Sequence, residues 1–342
     1  MIVDLLIVGQ GLAGSVLAHE ARKRGLSIAV IDNGWKTAAS TVAAGMWNPV
    51  SFRKIIPVWR DEACMEAIHE AYPRYEKTLG TSFFHQLPVW RIFPNQEYAD
   101  LWRKRLNEGA PWIAEGTEAV PPYVDAPFGY GVVPRAGFVK LPVFLEATRE
   151  WLSEDGALVE TSFDEDKLQP IEAGYQYEGI QAKHVVLAVG TAGRQLKAME
   201  GLPLQTNKGE VLDVQVDEHD AKATLNNGKW LLPFGEGKFK LGATYDWRDD
   251  SLNLSATSKQ MLLDKVGAML HSEVKVVKHI AGLRPTVKDR RPLIGALAPN
   301  LYTFNGLGTR GVLIAPLLAA EFFDFMEGTQ ELHSETSVQR YQ

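Results

Sequence analysis

Three glycines near the start of the chain, Gly9, Gly11 and Gly14 in the run GQGLAG, are the first residues whose spacing implies chemistry. In Gly-x-Gly-x-x-Gly the first glycine permits a tight turn. The second lets backbone N–H groups approach a pyrophosphate, and the third lets a helix pack close to the preceding strand. Leu12 and Ala13 then fall in the first turn of that helix. Asp32 lies about 20 residues further on, where a carboxylate takes the hydroxyls of an adenosine ribose, with Asn33 beside it. An acid here favours a free 2′-hydroxyl over the phosphate of NADP; NAD and FAD both satisfy the pattern. The plain alternative is a glycine-rich turn in some other α/β unit.

The elements around these residues decide between the two. IVDLLIV, residues 2 to 8, is a short apolar run suited to a buried parallel strand. SVLAHEARKRG carries apolar residues between charges in helical rhythm and stops at Gly25, and LSIAVID forms a second strand ending in Asp32. Strand, glycines, helix, strand and acid occur in the order a dinucleotide site needs. KHVVLAVGTAG, residues 183 to 193, reads as a late strand returning to the same sheet, and its terminal Gly190 joins the cofactor-contact candidates.

Proline and glycine are spread along the chain rather than gathered into a linker, so two domains must interleave. Residues 1–80, 135–200 and 285–342 are expected to form a Rossmann-like α/β nucleotide domain. Residues 81–134 and 201–284, with turn signals at Asn227-Gly228 and Gly235-Glu236-Gly237, are expected to form an α+β second domain with its own sheet. Helices are expected over 259–271 and 315–328.

The 342 residues are 45% hydrophobic and 23% charged, an ordinary soluble composition, and the net charge of −6 argues against a dedicated nucleic-acid protein. No run is long and apolar enough to span a bilayer, and MIVDLLIV lacks a basic leader, so a cytoplasmic protein is expected and the sequon at Asn253 carries no weight. Cys64 is the single cysteine, and eight scattered histidines show no paired spacing, which leaves no basis for a disulfide or a metal site. Neither a GxxxxGK phosphate loop nor a GxSxG nucleophile elbow is present. KDRR, residues 288 to 291, reads as a solvated turn rather than a nucleic-acid patch.

Four segments together resemble one family: the glycine motif, TVAAGMWNP at 41–49, AGLRPTVKDRRPLIG at 281–295 and NGLGTRGVLIAPLLAAEF at 305–322. AGFVKLPVFLEATREWLSEDGALV, at 136–159, is a weaker fifth match. The set is similar to the D-amino acid oxidase-like FAD oxidoreductases, which include glycine oxidase and sarcosine oxidase. The resemblance implies FAD rather than NAD. It brings Ala43, Ala44, Gly45 and Met46 against the flavin, with Trp47 and Asn48 nearby. Gly306, Gly308, Thr309, Arg310 and Gly311, at a helix entry, would offer N–H donors to the pole of the flavin where negative charge develops on reduction. Cys64 lies far in sequence from that loop, so non-covalent FAD is expected.

By the same resemblance Arg284 holds a substrate carboxylate; an ion pair with Asp289 is the structural alternative. Trp230 and Tyr245 are candidate pocket walls, each equally readable as packing. Arg310 stands one position beyond the arginine of glycine oxidase and is a candidate second carboxylate contact. Arg53, Trp59 and Arg60 follow the flavin-contacting stretch as lesser candidates. The activity implied is oxidation of a C–N bond of a small amine-bearing carboxylate by hydride transfer to flavin N5, with oxygen or a quinone as acceptor. The spelling GLGTRG also resembles the FAD domain of the bifunctional tRNA wobble-uridine modification enzyme, so removal of a carboxymethyl group from tRNA is the alternative. A non-catalytic flavin protein is the rival from another class.

Overall fold

A computed structural model describes residues 1–34, 38–216 and 221–341. All the candidate site residues fall among them. One sheet has the parallel strands Leu158–Val159, Ile28–Ile31, Ile2–Val8 and Ile180–Leu187 side by side. Beyond its last strand the sheet divides. The first half of Ile180–Leu187 takes the antiparallel strand Gly174–Tyr177, and the second half takes Leu301–Asn305 in parallel. Along Ile2–Val8 the side chains alternate between two buried faces: Leu5 and Ile7 pack under the helices, Leu6 and Val8 against Tyr177 and Met199. A strand covered on both sides reads as a continuous apolar run.

The second large sheet is ordered Lys275–Thr286, Gln205–Gln215, Lys238–Gly242, Trp230–Gly235, Thr224–Asn226, Val89–Ile92, Tyr130–Val133 and Ala114–Glu115. Its longest pairing, Gln205–Gln215 with Lys275–Thr286, sets Asn207 opposite Arg284 and Gly209 opposite Gly282. A small sheet of Met46–Trp47, Gly137–Val139 and Phe84–Gln86 links the two.

Two helices differ from the periodicity. The segment expected as 259–271 is helical over Ala256–Gly267, started by the Ser255 side chain accepting from the Ser258 N–H. Its last residues leave the helix because Leu270 pairs with Val124, and Met269 and His271 bond the backbone of Asp125 and Tyr123. The closing helix begins four residues earlier than expected, at Gly311, and runs to Met326 through Pro316. Proline there cannot donate to the carbonyl of Val312. The buried Tyr72 hydroxyl donates to it instead, at 2.9 Å.

His19 lies buried between the rings of Tyr75 and Trp151, at centroid distances of 4.4 and 4.6 Å, with Nε2 3.2 Å from the Thr148 hydroxyl. Burial first, then the charge of Arg74, lowers its pKa to about 3. The imidazole therefore stays neutral in the folded protein while an unfolded chain takes up a proton below about pH 6.5. Stability should be flat in this term above that pH and fall as pH drops from there towards 3, by up to roughly 1.4 kcal/mol per unit. Urea unfolding at pH 7 and pH 5 checks this: a His19→Phe variant should lose part of the pH dependence, and an unchanged slope would exclude His19 as its source.

Candidate active site

A cavity of about 400 Å³ lies between the two large sheets and reaches from Asp32, Asn33 and Ser162 at one end to Trp230, Tyr245 and Arg284 at the other. At the first end, Gly9 has φ +97°, and a Cβ there would stand 2.6 Å from the carbonyl oxygen of Ala188. Gly14 packs so closely that its Cβ would lie 1.8 Å from the Gly9 oxygen. Gly14 is thus behind the cavity wall, whereas Gly9, Gly11, Leu12 and Ala13 are on it. The helix Leu12–Lys23 begins after Gly11, which has no side chain to cap it. The Ser40 hydroxyl accepts the Leu12 N–H at 3.1 Å, and the N–H groups of Ala13 and Gly14, which precede the first intrahelical bond, are left at this end of the cavity. Asp32 accepts from the N–H groups of Gln10 (2.8 Å) and Gly34 (2.7 Å) and pairs with Arg149 at 3.0 Å. Its carboxylate is fixed at the lip of this end, and Arg149 is a partner that the sequence did not reveal.

Along the middle, Ala43, Ala44, Gly45 and Met46 line one wall. Gly45, with φ +70°, leaves no room for a side chain, since a Cβ would come within 2.0 Å of the Val139 oxygen. Opposite are Gly190, Gly308, Thr309 and Gly311, the last opening the helix Gly311–Met326, which has no side-chain cap. Asn305, missed in the sequence, ties this region together: Nδ2 donates to the Gly190 carbonyl at 2.9 Å while Oδ1 accepts the Gly306 N–H at 2.7 Å. Gly306 therefore supports the turn from behind rather than lining the cavity.

Two helix N-termini, and two wall glycines, Gly9 and Gly45, that exclude any Cβ, bare the backbone along part of this cavity. That suits a dinucleotide with a pyrophosphate at one helix and an electron-rich ring at the other.

Several expected contacts fall outside the cavity wall. Arg310 turns away, its guanidinium donating to the carbonyls of Asn48 (3.1 Å) and Val50 (3.3 Å), which the segment after Met46 brings within its reach. It braces two cavity-lining segments and is not positioned as a second carboxylate contact. Trp47 is buried against Phe84 and His69, and the Asn48 side chain accepts from the Val50 N–H. Trp59 and Arg60 are engaged with Glu335 and Glu321. Cys64 is fully buried, and burial pushes its thiol up to about 12. Among the described residues no His, Cys, Asp and Glu cluster suits a metal ion, and no helix is long and apolar enough to cross a membrane.

At the far end, Arg284 has no carboxylate partner among the described residues, and Asp289 bonds Arg340 and Tyr341 instead. Arg284 Nη1 donates to Asn207 Oδ1 at 2.9 Å and to the Thr244 carbonyl at 3.3 Å, and its Cζ lies 4.8 Å from the centre of the Tyr245 ring. Burial lowers its pKa, and a guanidinium still remains charged at neutral pH. Gly209 makes the placement possible, because a Cβ there would stand 1.9 Å from Nη2. Gly209→Ala should consequently keep fold and cofactor, since the flexible guanidinium can move, yet weaken carboxylate binding by roughly ten- to a hundredfold. Titration of the variant with acetate, followed through the flavin spectrum, would disprove this if affinity were unchanged.

The family described as DAO, FAD dependent oxidoreductase, matches residues 4–324. Among curated proteins, a tRNA 5-methylaminomethyl-2-thiouridine biosynthesis bifunctional protein of Thiobacillus denitrificans is 27% identical, with 98% of this chain and 58% of that protein aligned. A bifunctional ThiO/ThiG protein of Trichormus variabilis is 25% identical over 94% of this chain and 52% of its own length. The chain spans about half the length of these curated relatives. Glycine oxidase from Geobacillus kaustophilus shares the fold with a TM-score of 0.81 at 21% identity, covering 100% of this chain and 99% of that one. Iminodiacetate oxidase from a Chelativorans species does so with a TM-score of 0.82 at 17%, covering 98% of each.

Proposed function

The chain belongs to the DAO family of FAD-dependent oxidoreductases, and from that premise we propose that it oxidises the C–N bond of a small amine-bearing carboxylate. The observation that carries the reading is Arg284, a guanidinium on the cavity wall, braced by two acceptors and lacking an acid among the described residues. Nη2 and Nε are left to form the parallel pair of hydrogen bonds that a carboxylate takes. FAD, when bound, supplies the two-electron acceptor.

This chain's residues supply binding and exclusion. Gly9, Gly11 and the first turn of Leu12–Lys23 would hold the pyrophosphate, Asp32 the ribose, and Gly45, Met46, Gly308, Thr309 and Gly311 the ring system. Arg284 would fix the substrate carboxylate, and the rings of Trp230 and Tyr245 would limit water around the α-carbon. No carboxylate or imidazole is needed as a base if the amine binds neutral and the C–H bond is oriented towards the cofactor.

A second reading, a tRNA-borne secondary amine, is supported by the name of the Thiobacillus denitrificans relative. It is also supported by two exposed rings, Tyr245 on the cavity wall at 57% and Trp247 two residues further along the chain at 50%, of the kind on which bases stack. Anaerobic titration of the yellow protein with glycine, sarcosine, D-proline, D-alanine and D-aspartate tests the first reading: bleaching of the flavin band by one of them supports it. Bleaching only by tRNA carrying a carboxymethylaminomethyl group would replace it with the second.

A further inference from the structure

We propose that the cavity's far end holds a second anionic group, so that the substrate is an amine carrying two carboxylates, one on Arg284 and one on Lys229; this rests on the reading of Arg284 above. Lys229 follows the turn at Gly228, which has φ +78°, and directly precedes the cavity-lining Trp230. Its ammonium donates to the carbonyl of Ala243, itself on the cavity wall, at 2.6 Å, and lies 5.6 Å from the centre of the Tyr245 ring. Arg284 approaches the same ring at 4.8 Å. Two cations thus approach one cavity-lining tyrosine, Arg284 from the wall itself and Lys229 from beside the wall residues Trp230 and Ala243.

Neither has an acid partner among the described residues. Several other buried or partly buried cations do: Arg60 pairs with Glu321, Arg149 with Asp32, Lys208 with Asp249 and Lys240 with Asp213. Arg91 and Arg310, which also lack an acid partner among the described residues, are taken up by Tyr98 and Asn226 and by the carbonyls of Asn48 and Val50. Burial first, and then the charge of Arg284, lowers the pKa of Lys229, as two like charges in a partly desolvated place require. The Tyr245 ring offers both cations its electron-rich face but no net charge. A bound anion would relieve this arrangement. An ammonium has three donors, of which Ala243 uses one, so two remain for an incoming oxygen. A guanidinium fork at one site and a point charge at the other suit two carboxylates joined by a short linker, with the amine carried on it.

The test uses the holoprotein at constant ionic strength, with acetate, malonate, succinate and glutarate as unreactive probes and the flavin spectrum as readout. The best dicarboxylate should bind roughly five- to tenfold more tightly than acetate. In Lys229→Met that ratio should fall to about two, the statistical advantage of two equivalent groups; Lys229→Arg should restore it. A wild-type ratio of two or less overturns the proposal, as does an unchanged ratio in Lys229→Met. So does a ratio of two or less together with a spectral response to a uridine trinucleotide, which would point to a phosphodiester instead. Failure of the Arg284 reading looks different: Arg284→Met would then bind acetate as tightly as the wild type.

Discussion

Replacing Arg284 by methionine should cost two to three and a half orders of magnitude in substrate binding or in kcat/KM, the equivalent of about 3 to 5 kcal/mol for removing one partner of a desolvated charge pair. The side chain has no second duty that would confuse the result. It makes no ion pair among the described residues, and the acceptors it would abandon, Asn207 Oδ1 and the Thr244 carbonyl, are at the far end of the cavity from Asp32 and the glycine turn. FAD content and melting temperature should therefore change little. Arg284→Lys keeps the charge but loses the fork, and an intermediate loss is expected. Steady-state kinetics on whichever amine bleaches the flavin, together with acetate titration of the holoprotein, would measure it. Arg284→Met with wild-type kinetics would remove the anchor and leave the FAD assignment standing.

What the sequence revealed follows from how local the causes are. The strand Ile2–Val8, the glycines, the helix and Asp32 form one contiguous unit, each of whose parts is explained by its neighbours. The structure sets them together, with the first strand on its expected bounds and the second, expected over 26–32, confined to Ile28–Ile31. The order around 136–159 is local in the same way, as strand, helix and strand. The far end of the cavity is not local. In Gln205–Gln215, Gly209 lines the cavity and Asn207, on the same face, accepts from the cavity-lining Arg284, while Lys208 and Glu210 face a buried polar cluster with Asp249 and His279 on the other side. Polar residues on both faces erase the alternation by which a strand announces its inward side. Asn207 and Gly209 could be recognised only from the register that places them beside Arg284, a pairing between strands about 75 residues apart.

Arg310 illustrates the opposite difficulty. Its neighbours Thr309 and Gly311 are on the cavity wall, so sequence position alone made it a contact. The direction of one side chain at a helix entry depends on which backbone carbonyls lie within reach, and those belong to Asn48 and Val50, far away in the chain. The same applies to Trp47: its neighbour Met46 borders the cavity, but strand alternation turns the indole into the core against Phe84 and His69. Backbone identity carried the cofactor trough, whereas side-chain direction carried the substrate end. Only the first is written in a motif.

Gly14→Val should give a colourless protein that free FAD does not restore, with stability lowered by on the order of 3 kcal/mol or more. The first atom of any side chain at this position would stand 1.8 Å from the oxygen and 2.9 Å from the carbon of Gly9, both backbone atoms. The turn cannot retreat. Gly9 is held by its N–H to the Ile31 carbonyl at 2.8 Å, and on its other side the Ala188 carbonyl blocks movement into the sheet. The helix Leu12–Lys23 must then move outward, carrying its first turn away from the cavity that Leu12 and Ala13 line. Gly25→Ala is the matched control: Gly25 also has positive φ, +76°, but nothing lies within 4 Å of its added Cβ. That change should cost about 1 kcal/mol, through backbone strain alone, and leave the flavin in place. Flavin absorbance per mole of protein and urea unfolding of both variants separate the cases. A fully yellow Gly14→Val protein would mean that the close approach of helix and turn is not what holds the cofactor.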